Sequence, residues 1–216
     1  MLKMDSIIIR QERQEDYAAV EAMIREAFWN HHAPGCNEHY LAHVLRVHPD
    51  FIPQLDLVAE RNGQIVGNIM YTKSWLEDKA GNRKEILTFG PLSIAPDAQR
   101  QGIGKRLMEE SFRIALQMGY DVVVIFGHPG NYVSSGFRSC ARYNISLNGI
   151  VPTAMLAREF REKALDGRKW NYRESSAYEI SESDAEAFDL QFPPKEKAYQ
   201  PSQEEFYIYC HSTIQI

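Results

Sequence analysis

Cysteine is scarce in this chain. Of 216 residues three are cysteine, Cys36, Cys140 and Cys210, and their spacing pairs none of them, which excludes a disulfide framework. Long apolar runs are missing as well. No stretch approaches the roughly 18 apolar residues needed to cross a bilayer, so no membrane association is expected. The opening residues, MLKMDSIIIR, lack the length and the small-residue cleavage site of a signal peptide, and a cytoplasmic location is the expectation. Positive charge is not in excess: the net charge of −5 argues against nucleic acid as a partner while leaving room for a local basic pocket. Repeats and low-complexity segments are absent. What remains is 44% hydrophobic and 25% charged, the composition of a globular chain that can bury a core as one domain or as a domain with an extension.

The residue pattern places the elements. Ser6 to Arg10 is a short strand. Asp16 can cap a helix running to about Phe28, with Val20, Ile24 and Phe28 at fourfold spacing. A second helix fits Glu38 to about Val47, before Pro49. LDLVAE and QIVGNIMYTKSW form a hairpin about Asn62-Gly63, a pair suited to a turn with positive φ. EILTFGPLSI is a long strand with a bulge or break at Gly90-Pro91, because proline removes a ladder donor. DVVVIFG is apolar throughout, as for a strand covered on both faces. Between these strands, Ile103, Gly104, Leu107, Met108, Ser111, Phe112, Ile114, Ala115 and Met118 share one half of a helix. The unit is strand, glycine turn, helix, strand, with parallel strands. After Ile150 the pattern weakens: AMLAREF suits strand or helix, and SDAEAFDLQF carries a helix-cap signal.

The turn IAPDAQRQGIGK invites an anion. A helix's first turn has unpaired N–H groups and a positive dipole end. Gly102 and Gly104 remove Cβ atoms from that backbone, while Arg100 and Lys105 add charge. A glycine turn that only starts a helix is the competing reading. The P-loop pattern fails because Arg106 follows Gly104-Lys105 and no glycine stands five before Gly104. The dinucleotide fingerprint fails at Leu107. Gln99 to Gly104 does fit Q-x-x-G-x-G, and YVSSGF, Tyr132 to Phe137, follows the next strand. In these two landmarks, and in EHYLAHVLRVHPDFIPQLDLVAERNGQIVG, the chain resembles GNAT-type N-acetyltransferases of a bacterial subgroup, over roughly residues 6–150.

The resemblance implies a mixed α/β fold (α+β), the GNAT acyl-CoA N-acyltransferase fold, with a splayed, mostly antiparallel sheet flanked by helices. Acetyl-CoA is then the cosubstrate and no metal is expected. Its pantetheine arm would lie along Leu92, Ser93 and Ile94, and its pyrophosphate on N–H groups of Gln99, Arg100, Gln101, Gly102, Ile103, Gly104 and Lys105. Asn131 could bond the pantetheine or cap a helix. Tyr132 would act as general acid for the leaving thiolate, with a buried structural tyrosine as the alternative. The family's glutamate on the splayed strand has no counterpart here, since Thr88, Phe89 and Gly90 stand there. Glu60, Glu85, Glu38, His128 or a water are left as candidate bases.

His31, His32, Cys36, His39, His43 and His48 crowd one segment. His39 and His43 have a metal-ligand spacing, but Tyr40 replaces the glutamate of H-E-x-x-H, and an exposed helix face is the preferred reading. By the resemblance this region lines the acceptor side. Residues 1–150 are assigned to the core and 151–216 to an extension, whose aromatics (Trp170, Tyr172, Tyr178, Phe188, Phe206, Tyr209) argue for packing on the core or on a second subunit as a homodimer. The expected activity is acetyl transfer to a primary amine of a small molecule or amino acid. Transfer of another acyl group, a non-catalytic acyl-CoA sensor and an assembly scaffold remain as alternatives.

Overall fold

A computed structural model describes residues 6–215. The leader reading of residues 1–10 falls partly outside them. In chain order come β1 (Ile7–Gln11), α1 (Tyr17–Phe28), α2 (Glu38–Leu45), β2 (Leu57–Arg61), β3 (Gln64–Glu77), β4 (Arg83–Ile94), α3 (Ile103–Gln117) and β5 (Val122–Phe126). After these follow α4 (Pro129–Tyr132), β6 (Arg138–Ser139), β7 (Ile145–Ser146), β8 (Val151–Pro152), β9 (Met155–Glu159), β10 (Trp170–Arg173), α5 (Glu182–Asp189), α6 (Pro201–His211) and β11 (Thr213–Ile214). The main sheet runs β1-β2-β3-β4-β5-β9-β6, and β10 joins β3 to β7. Pairing is antiparallel except at β4–β5 and β7–β10. The mostly antiparallel sheet with flanking helices agrees with the expected fold class.

Strand alternation divides the core. Leu57, Ala59, Ile69 and Tyr71 face α3, meeting Leu107, Met108 and Phe112. Val58 and Met70 face the other way, against Val20, Ile24, Ala42 and Leu45 of α1 and α2. The apolar half of α3 read from the sequence is the half that packs, with one difference. Met118 is 40% exposed, because the helix ends at Gln117 and Met118 is its cap.

Two further details depart from the sequence reading. The Asp16 carboxylate does not cap α1. It accepts from the Arg13 N–H at 2.8 Å and pairs with Arg10 at 2.6 Å. Those bonds hold its pKa below the usual carboxylate range, with the Arg10 hydrogen bond the largest cause. The α5 helix starts earlier than SDAEAF suggests, with Ser181 accepting from the Asp184 N–H at 3.3 Å.

After residue 150, β9 and β10 enter the same sheet, while β8 and β11 pair as a separate two-stranded sheet. β9 lies between β5 and β6, and Tyr172 of β10 stands opposite Leu76. β3 is long enough to take β2 along Gln64 to Ile69 and β10 along Trp75 to Glu77 on one edge, with β4 along the other. Val151, Met155, Ala157, Leu165, Trp170 and Tyr172 pack into a shared apolar cluster with Ile86, Val122 and Val124. α6 packs beside β8, with the Ala154 N–H bonded to the Tyr209 carbonyl at 3.3 Å, and no helix among the described residues is long and apolar enough to cross a membrane.

Candidate functional site

β4 and β5 touch at one register pair, Leu87 with Val123, and then diverge. The break sits where proline interrupts the strand: the β3–β4 register shifts between Ile69 and Tyr71, opposite Gly90-Pro91. Beyond it Leu92, Ser93 and Ile94 still pair with Ile69, Asn68 and Gly67, but their other edge has no strand partner among the described residues. The gap opens a cleft of about 940 Å³. Its walls come from both faces of the sheet, with Gly104, Lys105 and Met108 of α3 and Phe28, Glu38 and Leu41 of α1 and α2 all lining it. Ser93 Oγ is buried in that wall with no hydrogen-bond partner among the described residues. A buried hydroxyl left unpaired in a cleft wall is a polar atom available to a ligand.

At the α3 end the cleft meets an anion-ready turn. Gly102 caps the helix in the left-handed region, φ +79°, and no side chain bonds the first-turn N–H groups. Arg100 also has positive φ, +60°. Gln99, Arg100, Gly104, Lys105 and Asn131 line the cleft, as do Leu92, Ser93 and Ile94. The side chains of Gln101 and Ile103 point elsewhere. Gln101 bonds the Asp97 carbonyl and Arg61, and Ile103 is buried in the core. Gln99 Nε2 donates to the Ile94 carbonyl at 3.2 Å, closing the turn onto the strand.

The glycines can be separated by substitution. A side chain at Gly102 is strained by its φ, so a change there perturbs folding as well as binding. Gly104 is helical, and a Cβ there would meet Ile94 at an ordinary 3.8 Å on the cleft wall. Wild type at 100 Kd of acetyl-CoA should gain about 2.7 kcal/mol, a Tm rise of about 5–10 °C for a chain this size. Gly104→Val should weaken that Kd about tenfold. At the same acetyl-CoA concentration the rise should fall to about half, with the unliganded Tm nearly unchanged.

Tyr132 closes α4 beside the splay. Its ring packs against Phe89 and Phe137, with centroids 5.9 and 5.7 Å away. The hydroxyl has no hydrogen-bond partner among the described residues, and burial pushes its pKa up to about 12. Sequence reasoning missed Gly127. A Cβ there would stand 2.5 Å from Tyr132 Cε2, so the bare backbone at the end of β5 is what admits the ring. No spacing rule marks this glycine, since the contact exists only once α4 folds back.

The candidate bases separate. Glu60 is paired with Arg10 at 3.0 Å, and Glu85 accepts from Tyr120 at 2.9 Å; neither lines the cleft. Glu38 and His128 do. Glu38 pairs with His32 at 2.8 Å, and His128 Nδ1 accepts from the Gly130 N–H at 3.0 Å. Two further cleft carboxylates, Glu174 and Glu205, come from the extension and were not read from the sequence.

The exposed-face reading holds for His43 and is corrected for His39. His39 is fully buried, its Nδ1 3.4 Å from Cys36 Sγ and its Nε2 3.1 Å from Asp189 Oδ1. Burial holds it below the ordinary imidazole pKa, and burial pushes the Cys36 thiol up to about 12. His43 turns instead to Glu21 at 3.0 Å and stays exposed. The burial comes from α5 and the turn after it: Phe188 and Asp189 of α5 and Phe192 beyond it cover the α2 face, and Asp189 also pairs with Arg25 at 2.6 Å. Among the described residues no group of three or more His, Cys, Asp or Glu side chains could hold a metal.

α6 roofs the α1–α2 end of the cleft. Phe206 stacks on His32 at 4.1 Å and Tyr209 meets His128 edge-on at 4.4 Å, so the helix bridges both rims. Ser202, Glu205, Phe206, Tyr209 and Cys210 line the roof.

Comparison with known proteins converges on one family. The model of the acetyltransferase (GNAT) family matches residues 16–137. A curated relative, the uncharacterized N-acetyltransferase YjhQ of Escherichia coli strain K12, is 30% identical over 89 residues, which are 41% of this chain and 49% of that protein. The chain thus matches about half the length of that relative. The Escherichia coli GNAT protein YhbS, solved in complex with CoA, has a similar fold at TM-score 0.69 and 22% identity, over 81% of this chain and 92% of that one. A GNAT acetyltransferase of Brucella melitensis, solved with acetyl-CoA, has TM-score 0.65 and 23% identity over 81% and 99%.

Proposed function

The chain belongs to the GNAT acetyltransferase family, and from that premise we propose that it moves the acetyl group of acetyl-CoA to a primary amine of a small molecule. The observation that carries this reading is the continuity of one cleft. It runs from the uncapped first turn of α3, past the unpaired edge of Leu92 to Ile94, to the unpartnered hydroxyl of Tyr132. The residues present fit acetyl-CoA. Arg100, Lys105 and the N–H groups through Gly104 would hold the pyrophosphate, and the free β4 edge with Ser93 and Asn131 would hold the pantetheine. The solved neighbours that carry CoA or acetyl-CoA support the same choice of ligand.

The chemistry asks two things of the protein. The amine must be neutral to attack, and an alkylammonium with pKa ~10.4 costs about 4.6 kcal/mol to neutralise at pH 7. The leaving thiolate must be stabilised, and Tyr132, which lines the same cleft, would be its donor. The α6 roof narrows the acceptor end with Phe206 and Tyr209.

A panel of primary amines incubated with acetyl-CoA, followed by release of CoA thiol, tests this reading. Turnover with at least one amine well above the protein-free rate is expected. Acetyl-CoA binding with no thiol release for any amine would leave a sensor instead of an enzyme.

A further inference from the structure

The two ends of the cleft differ in charge. Arg100 and Lys105, the lysine and arginine among the described lining residues, both stand at the α3 end. The opposite end carries three carboxylates, Glu38, Glu174 and Glu205. His31, also there, is held below its ordinary pKa by burial and by His32. An acceptor with a carboxylate of its own would meet no fixed cation at that end.

Glu174 is the carboxylate with a built support. It follows β10, and Tyr172 is buried with its Oη 3.5 Å from Glu174 Oε1. Tyr172 Oη lies 2.6 Å from Thr88 Oγ1, which lies 2.8 Å from Ser74 Oγ. The Ser74, Thr88 and Tyr172 hydroxyls thus form one buried chain that ends beside the Glu174 carboxylate. On the other side Ser175 is buried and donates to Asp50 at 2.7 Å. Thr88 belongs to β4 near the splay, where the sequence offers no carboxylate.

We infer that the acceptor is a cationic amine without a carboxylate, and that Glu174, supplied from beyond the family-matched residues, takes its proton. This rests on the acetyl-transfer reading. One proton passes from the ammonium to Glu174. The freed nitrogen pair forms the C–N bond at the thioester carbonyl. The C–S bond breaks with its electron pair on sulfur. The second proton lost by nitrogen reaches sulfur through the Tyr132 hydroxyl, so no phenolate accumulates. Glu174 then returns its proton to solvent. Glu174 is an exposed residue at the cleft wall, and desolvation by its surroundings raises its pKa most, with Glu179 adding to the rise and the Tyr172 contact opposing it; Tyr178 is a further titratable side chain beside it. The base is active when ionised, so kcat/KM should climb with pH through a limb above the usual carboxylate range.

The test uses the full chain with n-butylamine and gamma-aminobutyrate, which differ by the carboxylate. Butylamine should have a kcat/KM at least about tenfold higher. Glu174→Gln keeps the acceptor oxygen for Tyr172 and should lower kcat/KM for butylamine ~10²-fold and abolish the acid limb. Tyr172→Phe removes a bond to the charged carboxylate and should move the limb to higher pH. Without acetyl-CoA, calorimetry should show butylammonium binding about tenfold weaker in Glu174→Gln. A preference for gamma-aminobutyrate, or a Glu174→Gln protein within threefold of wild type with its limb intact, would overturn the inference while leaving acetyl transfer standing. If acetyl-CoA binds but no amine is acetylated, the transfer reading fails first. Calorimetry then decides alone, and equal butylammonium binding by both proteins removes Glu174.

Discussion

Tyr132→Phe should lower kcat by ~10²–10⁴-fold, the usual range for a lost acid–base group, with KM for acetyl-CoA within about threefold. Phenylalanine keeps the ring between Phe89 and Phe137 and removes only the hydroxyl, which has no other partner among the described residues. With the phenol pushed up to about 12 and a thiol at ~8.5, full transfer to sulfur would be uphill by about 5 kcal/mol. In the proposed mechanism the hydroxyl would therefore serve as a hydrogen-bond donor to the developing thiolate and as a relay. The stabilisation exists only in the transition state, so kcat carries the loss. Steady-state kinetics with the best amine checks this. A variant within threefold of wild type in both steady-state and single-turnover rates would remove Tyr132 from the chemistry; a loss seen only in single turnover would mean that product release limits kcat.

Gly127→Ala should cost ~10²-fold in kcat without removing any group that reacts. The added Cβ would sit 2.5 Å from Cε2 and 3.3 Å from Cδ2 and Cζ of the Tyr132 ring. The ring must shift to relieve that contact, and the buried Phe137 and Phe89 packed on it keep the shift small. The hydroxyl must move by about 1 Å, and displacements of that size cost about 10²-fold when a donor is aimed at a reacting atom. Acetyl-CoA affinity should change little, since the anion turn lies on α3. Full activity in Gly127→Ala, or loss of folding by circular dichroism, would contradict the account.

Local chemistry made much of this site legible before any coordinates. The turn from Gln99 to Lys105, the break at Gly90-Pro91 and the tyrosine before Gly136-Phe137 are short-range features, and each carries its own physical reason. The amphipathic half of α3 was legible because its period is unambiguous. What escaped depends on contacts between distant residues. Glu174 reaches the cleft because β10 pairs with β3 nearly a hundred residues earlier, and nothing in WNYRESS announces that pairing. His39 reads as a surface residue until Phe188 and Asp189 of α5 cover it. Gly127 matters through a ring that folds back five residues later. α6 has mixed polarity on every side, and its exposed Phe206, Tyr207 and Ile208 leave no clean apolar stripe to read.

The central claim is that acetyl-CoA threads the gap between β4 and β5 and presents its sulfur to Tyr132. A crystal structure of the full chain grown with CoA tests it most directly. The account predicts pyrophosphate oxygens on N–H groups between Arg100 and Lys105, the pantetheine amides bonded to the free edge of Leu92 to Ile94, and the sulfur within about 3.5 Å of Tyr132 Oη. CoA bound outside the gap, or in it with the sulfur turned away from Tyr132, would contradict that claim.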